Sequence, residues 1–329
     1  MPERTTITQV AQLGVEATPG VAVAANKLLT ALSIDPAINL EATTFRPSGG
    51  KYATLAAPGK DFVEAKISSD VACYNHLAYL FSGILAYAAP VQQGTTTAYL
   101  WTFVPSQTAE DTIKTYTIEK GSAVRAGRFA YGLLNELTIS FDREKIEISG
   151  TMLGQQYTDN VTLTANPTAV AAQPILPSAL DVFIDNTATG IGTTKWTRVL
   201  SGELSISDRF APVWTLNSAV TSFVAHVERA PKAQLKLLVE ADATGMSLLP
   251  AMRAGDKRYI RLKAVGPLIA STYYYTFQFD LCGVLSEVGE FSDEDGVYAI
   301  EWTFDVAFDK NWGTGKAMEA QLMNVLSAL

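Results

Sequence analysis

The chain has little of the chemistry that usually marks a cofactor or metal site. Its 329 residues include two cysteines, Cys73 and Cys282, and two histidines, His76 and His226. Two cysteines so far apart in sequence build neither a disulfide framework nor a zinc cluster, so we expect both to be reduced thiols in the core. The histidines lie in different halves of the chain, which favours packed or solvated side chains over a metal site or a catalytic triad. We therefore predict no metal, no cofactor and no catalytic residue.

Positive charge is also scarce. The chain has 25 Lys and Arg against 33 Asp and Glu, which gives a formal net charge of -8. Proteins that grip nucleic acid neutralise its phosphates with lysine and arginine. This balance excludes DNA wrapping, although it leaves open a surface that lets DNA slide past.

Targeting and membrane signals are missing as well. No apolar stretch of a secretory signal follows Met1, so we expect the chain to be made in a cytoplasm. The uncharged segment 71–91 contains Asn75, His76 and Pro90 and has no basic flank, which argues against a membrane span.

Short runs of alternating apolar and polar residues are the main feature that is present. Such alternation is typical of strands with one buried face. It predicts a hairpin that begins at 32–45 and turns at 47–50, further strands at 62–67 and 115–119, and a second hairpin formed by 137–141 and 146–149. One segment differs, because Leu77, Leu80, Phe81 and Ile84 recur at helical spacing and predict a helix packed on a sheet.

The second half of the sequence repeats the order of elements in the first half. A segment rich in Ala and Pro, 166–177, separates the halves and is interpreted as a linker. The matching features are 204–206 with 32–34, the charged strand 233–240 with 62–67, a short helical segment at 246–252 interrupted by Pro250, and the hairpin 275–308, in which 300–303 aligns with 146–149. This order predicts a diverged duplication.

Motifs of known active sites are missing or incomplete. The segment 313–316 (Gly-Thr-Gly-Lys) lacks the preceding glycine and the Ser or Thr of a phosphate-binding loop. The segment 293–296 (Asp-Glu-Asp-Gly) would need ligands at Phe291 and Trp302 to bind calcium, so we interpret it as a hairpin turn.

Carboxylates recur on the polar faces of the expected strands. Asp142 lies near Glu144, and Glu301 lies near Asp305. Such pairs could be solvated, could serve a glycosidase, or could line an acidic channel that repels phosphate. The residues alone leave these three interpretations open.

Three segments resemble the tail tube (major tail) proteins of long-tailed bacteriophages. They are 14–20 (Gly-Val-Glu-Ala-Thr-Pro-Gly), the end of the expected helix at 80–85 (Leu-Phe-Ser-Gly-Ile-Leu), and 134–140 (Leu-Asn-Glu-Leu-Thr-Ile-Ser) leading to 148–151. The resemblance runs over essentially the whole chain. Its motifs are diffuse, because structural proteins of this kind keep a pattern of strands and turns more than invariant residues. The resemblance implies no catalytic residues.

The resemblance implies a mainly β subunit, a β-sandwich or barrel with a short flanking α-helix, that polymerises into stacked rings. The inner sheets would join around a lumen through which double-stranded DNA passes, and in the family that lumen tends to be acidic. Asp142, Glu147, Glu301 and Asp305 are therefore the expected lumen-lining residues. The implied location is the virion tail, and the implied partners are other copies of the chain, a tape-measure protein, and tail terminator and baseplate proteins.

Together with the duplication, the resemblance implies two tandem tail-tube units. The expected boundaries are an N-terminal arm at 1–25, a first unit at 26–165, a linker at 166–178 and a second unit at 179–329. If each unit fills one place in a sixfold ring, three chains complete it, so we expect a trimer with pseudo-sixfold symmetry. The arm and the loops around Gly49 and Gly94 are candidates for contacts between rings, with flexible tips as the alternative.

Three other classes remain to be weighed. A β-sandwich adhesin or carbohydrate-binding protein fits the composition but leaves the repeated order of elements unexplained. An outer-membrane barrel needs a signal peptide and aromatic girdles, and an enzyme needs a site that the motifs do not supply.

Overall fold

The fold is mainly β. The computed structural model describes residues 7–217 and 219–329, and within them about half of the residues lie in strands and two segments are α-helices. The first half contains β1 (Val10–Val15), β2 (Lys27–Leu29), β3 (Ser33–Phe45), β4 (Leu55–Ser69), α1 (Tyr74–Ile84), β5 (Val91–Gln92), β6 (Tyr99–Phe103), β7 (Tyr116–Gly121), β8 (Ala126–Phe141), β9 (Ile146–Gly154), β10 (Thr158–Val161) and β11 (Thr168–Val170). The second half contains β12 (Leu180–Asp185), β13 (Lys195–Trp196), β14 (Val199–Ser207), β15 (Phe210–Val213), β16 (Ala225–Glu228), β17 (Lys232–Glu240), α2 (Leu248–Ala254), β18 (Lys257–Ala270), β19 (Tyr273–Glu294), β20 (Val297–Val306) and β21 (Met318–Asn324).

Eight of these strands form one continuous antiparallel sheet. Their spatial order is β3, β4, β9, β8, β14, β17, β20 and β19. Because successive side chains of a strand point to opposite faces, Ile139 of β8, Leu204 of β14 and Leu235 of β17 share one buried face. The opposite face is polar. The β8–β14 pair joins the two halves of the chain within this sheet.

The long strands β8 and β19 change partners along their length. The first part of β8 pairs with β7 and β10, and β7 continues to β1 and β2. The first part of β19 pairs with β18 and β21, and β18 continues to β12 and β13. Each long strand therefore belongs both to the eight-stranded sheet and to a second layer.

A buried carboxylate fixes the point where β8 changes partners. Tyr131 lies there with a left-handed backbone, φ 56°, which is costly for a residue with a side chain. Its N–H donates to Glu16 Oε1 at 2.8 Å. Glu16 also accepts hydrogen bonds from Gly20 N at 2.8 Å and from the hydroxyls of Thr115 and Thr117 at 2.8 and 2.9 Å. The N-terminal segment is thereby held against β7 and the bend.

Helix α1 is buried on all sides. Its apolar residues at helical spacing form the helix that the sequence predicts, and all eleven of its residues are buried. Phe81 packs against Phe103, Phe277 and Phe279, with ring centroids 5.7 to 6.4 Å apart. A helix enclosed in this way also buries polar side chains. Both ring nitrogens of His76 lack a hydrogen-bond partner within the described residues.

Several further sequence predictions are confirmed. Both hairpins form, and the five apolar residues of the second hairpin are buried on one face: Leu137, Ile139, Phe141, Ile146 and Ile148. The segment 293–296 contains the β19–β20 turn, where Gly296 N donates to Asp293 Oδ1 at 2.9 Å. The second helix forms with Pro250 in its first turn, where the missing N–H costs no helical hydrogen bond.

Two segments interpreted as irregular contain strands. Within the expected N-terminal arm, residues 1–6 lie outside the described residues, but Val10–Val15 is a sheet strand paired along its length with β7. Within the expected linker, Thr168–Val170 pairs in parallel with β2 and buries Val170. Strand β1 is buried on both faces, so its sequence needs no alternation, and β11 is only three residues long, too short to show one. The domain boundaries themselves stay predictions.

Across the part of the chain that the structure describes, no helix has the length and apolar character needed to cross a membrane.

The face assignment of β8 predicts that two adjacent substitutions differ greatly in their effect on stability. Ile139 is 3% exposed, so Ile139→Lys would bury an unpaired charge and cost about 3–5 kcal/mol, a large part of a domain's stability. Ser140 lies on the polar face, so Ser140→Lys should change stability by no more than about 0.5 kcal/mol. Urea denaturation of both variants measures the difference. Equal stabilities would contradict the assigned register.

The buried histidine predicts a specific loss of stability in acid. Burial lowers the pKa of His76 to about 4, whereas an unfolded histidine titrates near 6.5. The unfolded state therefore binds a proton first, and stability should fall as the pH drops from about 6.5 to 4, by about 3 kcal/mol in total. His76→Phe should remove this part of the pH dependence, as measured by thermal unfolding from pH 7.5 to 4. An unchanged slope in the variant would refute the assignment.

Candidate functional site: a polar sheet face with two unpaired edges

The polar face of the eight-stranded sheet carries an excess of negative charge. Strand β19 places Glu287 on this face, opposite Thr303 of β20. On the other seven strands, register and alternation place eight carboxylates and three lysines on it. The carboxylates are Asp35, Glu64, Glu136, Glu147, Glu203, Glu240, Glu301 and Asp305, and the lysines are Lys66, Lys232 and Lys236. A surface of this composition has a negative potential and repels phosphate.

Three of the four acidic residues singled out from the sequence meet in one open groove on this face. Asp142, Glu147 and Glu301 line a depression of about 280 Å³ together with Glu203 and Lys236. The groove crosses β9, β8, β14, β17 and β20, so it spans the junction between the two halves of the chain. Residues that are far apart in sequence thus contribute to one electrostatic surface.

The four residues differ in their local contacts. Asp142 closes the β8–β9 turn, because its Oδ1 accepts the N–H groups of Glu144 and Lys145 at 2.7 and 2.8 Å. Glu147 accepts from Lys145 Nζ at 2.5 Å, an exposed pair of small energetic value. Asp305 lies outside the groove, and its Oδ1 accepts from Gln234 Nε2 at 2.7 Å. The expectation that these four residues line a lumen stays a prediction.

Sequence reasoning missed the other carboxylates of this face. Glu64, Glu136, Glu203 and Glu240 all lie on it. The signal was present, because each alternates with buried residues of its own strand. The sequence could not place these carboxylates on one common face, because that requires the order of strands in the sheet and in particular the β8–β14 pairing.

The two outer strands of the sheet have backbone edges without a strand partner. In the described ranges, β3 pairs with β4 alone, and β19 beyond Leu285 pairs with β20 alone. Exposed apolar side chains occur on both strands: Ile38 and Leu40 on β3, and Val288 and Phe291 on β19. Free strand edges with apolar side chains are the usual sites for adding another strand.

The titratable groups outside this face have ordinary structural surroundings. Cys73 and Cys282 are free and buried, as the sequence predicts, and burial raises the pKa of each thiol to about 11, which keeps both unreactive at neutral pH. His226 lies on β16 with Nδ1 3.0 Å from the Tyr131 hydroxyl, whereas His76 lies on α1. The described residues contain no group of three or more potential metal ligands.

The site can therefore act in two ways. Its face offers a hydrated, negatively charged surface, and its edges offer backbone donors and acceptors to another chain. Comparison with models of known protein families finds no match, and a search of curated proteins finds no similar sequence.

Proposed function

We propose that this chain is a structural subunit that polymerises into the rings of a phage tail tube, a conduit for genome delivery. The observation that carries the proposal is the pair of free edges on β3 and β19. The chain contains within itself an example of the joint that these edges would make between copies, namely the β8–β14 pair.

The pattern of strand pairing supports two tandem units. Seven antiparallel pairs in each half correspond in the same chain order. In the first half they are β1–β2, β1–β7, β7–β8, β8–β9, β8–β10, β9–β4 and β4–β3. In the second half they are β12–β13, β12–β18, β18–β19, β19–β20, β19–β21, β20–β17 and β17–β14.

Two further features follow the same correspondence. Helix α1 follows β4, and helix α2 follows the matching strand β17. Glu16, directly after β1, closes a loop through Gly20 N, and Asp185, at the end of β12, closes a loop through Gly192 N and Thr194 N at 2.8 and 3.0 Å. Two halves of unrelated origin would have no reason to share a carboxylate at this position.

The correspondence identifies which edges would join. In the chain, Leu137–Phe141 of β8 pairs with Gly202–Ile206 of β14. The counterpart of β8 is β19 and that of β14 is β3, so the same joint between copies would link the free edge of β19 to the free edge of β3. Pro36 of β3 has no N–H to donate, which limits the joint to a few residues before it. The β8–β14 pair is similarly short.

Three copies joined in this way would close a wide barrel. Three sheets of eight strands make 24 strands, and at a spacing of about 4.8 Å their circumference gives a backbone diameter of about 37 Å before strand tilt widens it. Lining side chains take up about 5 Å on each wall, which leaves a lumen of about 27 Å. A DNA duplex fits this space.

The charge of the polar face suits a lumen that DNA must pass without binding. Its carboxylates would be repeated in each copy and each ring, so phosphate would meet a continuous negative wall. The buried face would at the same time support the barrel from outside through α1 and the second layer of strands. In this proposal the chain acts in the virion tail with a tape-measure protein and with terminator and baseplate proteins, and it has no enzymatic activity.

The free edges predict how assembly can be blocked without unfolding the subunit. The purified chain should form rings or tubes in negative-stain micrographs as its concentration rises. Val288→Asp places a charge on the free edge of β19, where an adjacent copy would pair, and should leave single subunits with an unchanged melting temperature. Leu176→Asp, at an exposed apolar residue outside both edges, is the matched control and should assemble.

Either of two results would refute the proposal. One is a wild-type chain that stays monomeric at every concentration, including when seeded with phage tail fragments. The other is a Val288→Asp variant that assembles as well as the control.

A further inference from the structure

The β3–β4 hairpin continues well beyond the sheet as an exposed arm. This β3–β4 arm comprises residues 38–58, and its strands stay paired up to Phe45 and Leu55. Large apolar side chains along it are exposed to solvent: Ile38, Leu40, Phe45, Tyr52 and Leu55, each 58% or more. So much exposed apolar surface on one projecting element is typical of a surface that a partner covers.

The second half has a counterpart of this arm, and that counterpart is docked. The β15–β16 hairpin lies between β14 and β17, as the arm lies between β3 and β4. It folds over the first half, where Trp214 packs on Phe62 with ring centroids 5.7 Å apart and Phe223 packs on Tyr131 at 5.0 Å. Asp61 N donates to Thr221 O at 3.2 Å, which fastens the hairpin to the base of the arm.

The docking site in the first half is defined by strand ends. Phe62 lies where β4 enters the sheet, and Gln155 directly follows β9 and donates from Nε2 to Phe223 O at 2.8 Å. Leu133 of β8 completes the buried cluster with Tyr131, Phe210 and Phe223. The β15–β16 hairpin reaches this site because β14 pairs with the neighbouring edge of β8.

The matching place in the second half is an open groove. It has a volume of about 600 Å³ and is lined by Pro231 next to the start of β17, by Val306 and Phe308 at the end of β20, and by Met318 at the start of β21. The first-half loop 105–110 and residues at the base of the β15–β16 hairpin also line it. These strands are the counterparts of β4, β9 and β10. The groove is therefore the second-half equivalent of the site that the β15–β16 hairpin fills.

We infer that the β3–β4 arm of one copy docks in this groove of the adjacent copy. The inference rests on the proposed ring, because the joint between β19 and β3 brings the start of the arm to the groove. The arm's equivalent site on its own half is already filled by the β15–β16 hairpin. Docked β15–β16 hairpins and docked β3–β4 arms would then alternate around each ring.

The dimensions of the arm are compatible with this docking. Ile38–Phe45 is eight residues long and reaches about 26 Å at 3.3 Å per residue. The path from the β19 edge across β20 to β17 covers two strand spacings, about 10 Å. The arm thus has enough length to cross the groove and to bring several of its apolar side chains into it.

Cysteine cross-linking tests the inference on the full chain. Leu40→Cys on the arm and Ala230→Cys on the groove rim both place a thiol at an exposed position, and the two native cysteines are buried. A short bis-maleimide, added to the assembled variant that carries both Leu40→Cys and Ala230→Cys, should give covalent dimers and trimers on a denaturing gel. Each single variant should stay monomeric on the gel. The control pairs Leu40→Cys with Leu176→Cys, which lies outside the groove, and should give at least tenfold less cross-linked product.

The outcomes separate the inference from the proposed function. Rings or tubes in micrographs with a ladder specific to the arm and groove pair support both. Rings or tubes that give no cross-linked dimers and trimers for the arm and groove pair, or equal amounts in the Leu176→Cys control, overturn the docking but not the proposed ring. Absence of any assembly in the wild-type chain overturns both.

Discussion

The architecture depends on the backbone hydrogen bonding of two long strands, β8 and β19. In the sheet, β8 has a strand on each side, because β14 of the second half covers the edge that β9 leaves free. Its counterpart β19 has β20 on one side only in the described part of the chain. Backbone groups at such an edge need a partner or water, and apolar residues beside them favour a partner. The free edges of β19 and β3 are therefore the basis of the proposed joint between copies.

The proposed function places its demands on a surface formed by both halves of the chain. The face between the two edges combines acidic residues from both halves, including Glu147 of the first and Glu301 of the second. If this face lines a lumen, as we propose, its negative charge alone would keep phosphate from binding. The buried carboxylate of Glu16, by contrast, has a purely structural task, since its four hydrogen bonds hold the bend that lets β8 serve two layers.

Much of the local structure could be read from the sequence, and much of the site could not. Alternation was sufficient for β8 and β9, and helical spacing was sufficient for α1, because in each the apolar residues face one core. Alternation says nothing about β1, which is buried on both faces, or about the three-residue β11, and both lie in segments interpreted as irregular. It identified Asp142, Glu147 and Glu301 as polar, but their meeting in one groove depends on which strands are neighbours. The pairing of β8 with β14, between residues more than 60 positions apart, has no local signal.

A cryo-electron microscopy reconstruction of the assembled chain would test the proposed ring directly. We expect a closed ring of three copies with pseudo-sixfold features, a continuous inner barrel joined through β19 and β3, and Glu147 and Glu301 on the inner wall. A ring whose copies meet through other surfaces, or one whose inner wall is formed by another face of the subunit, would contradict it.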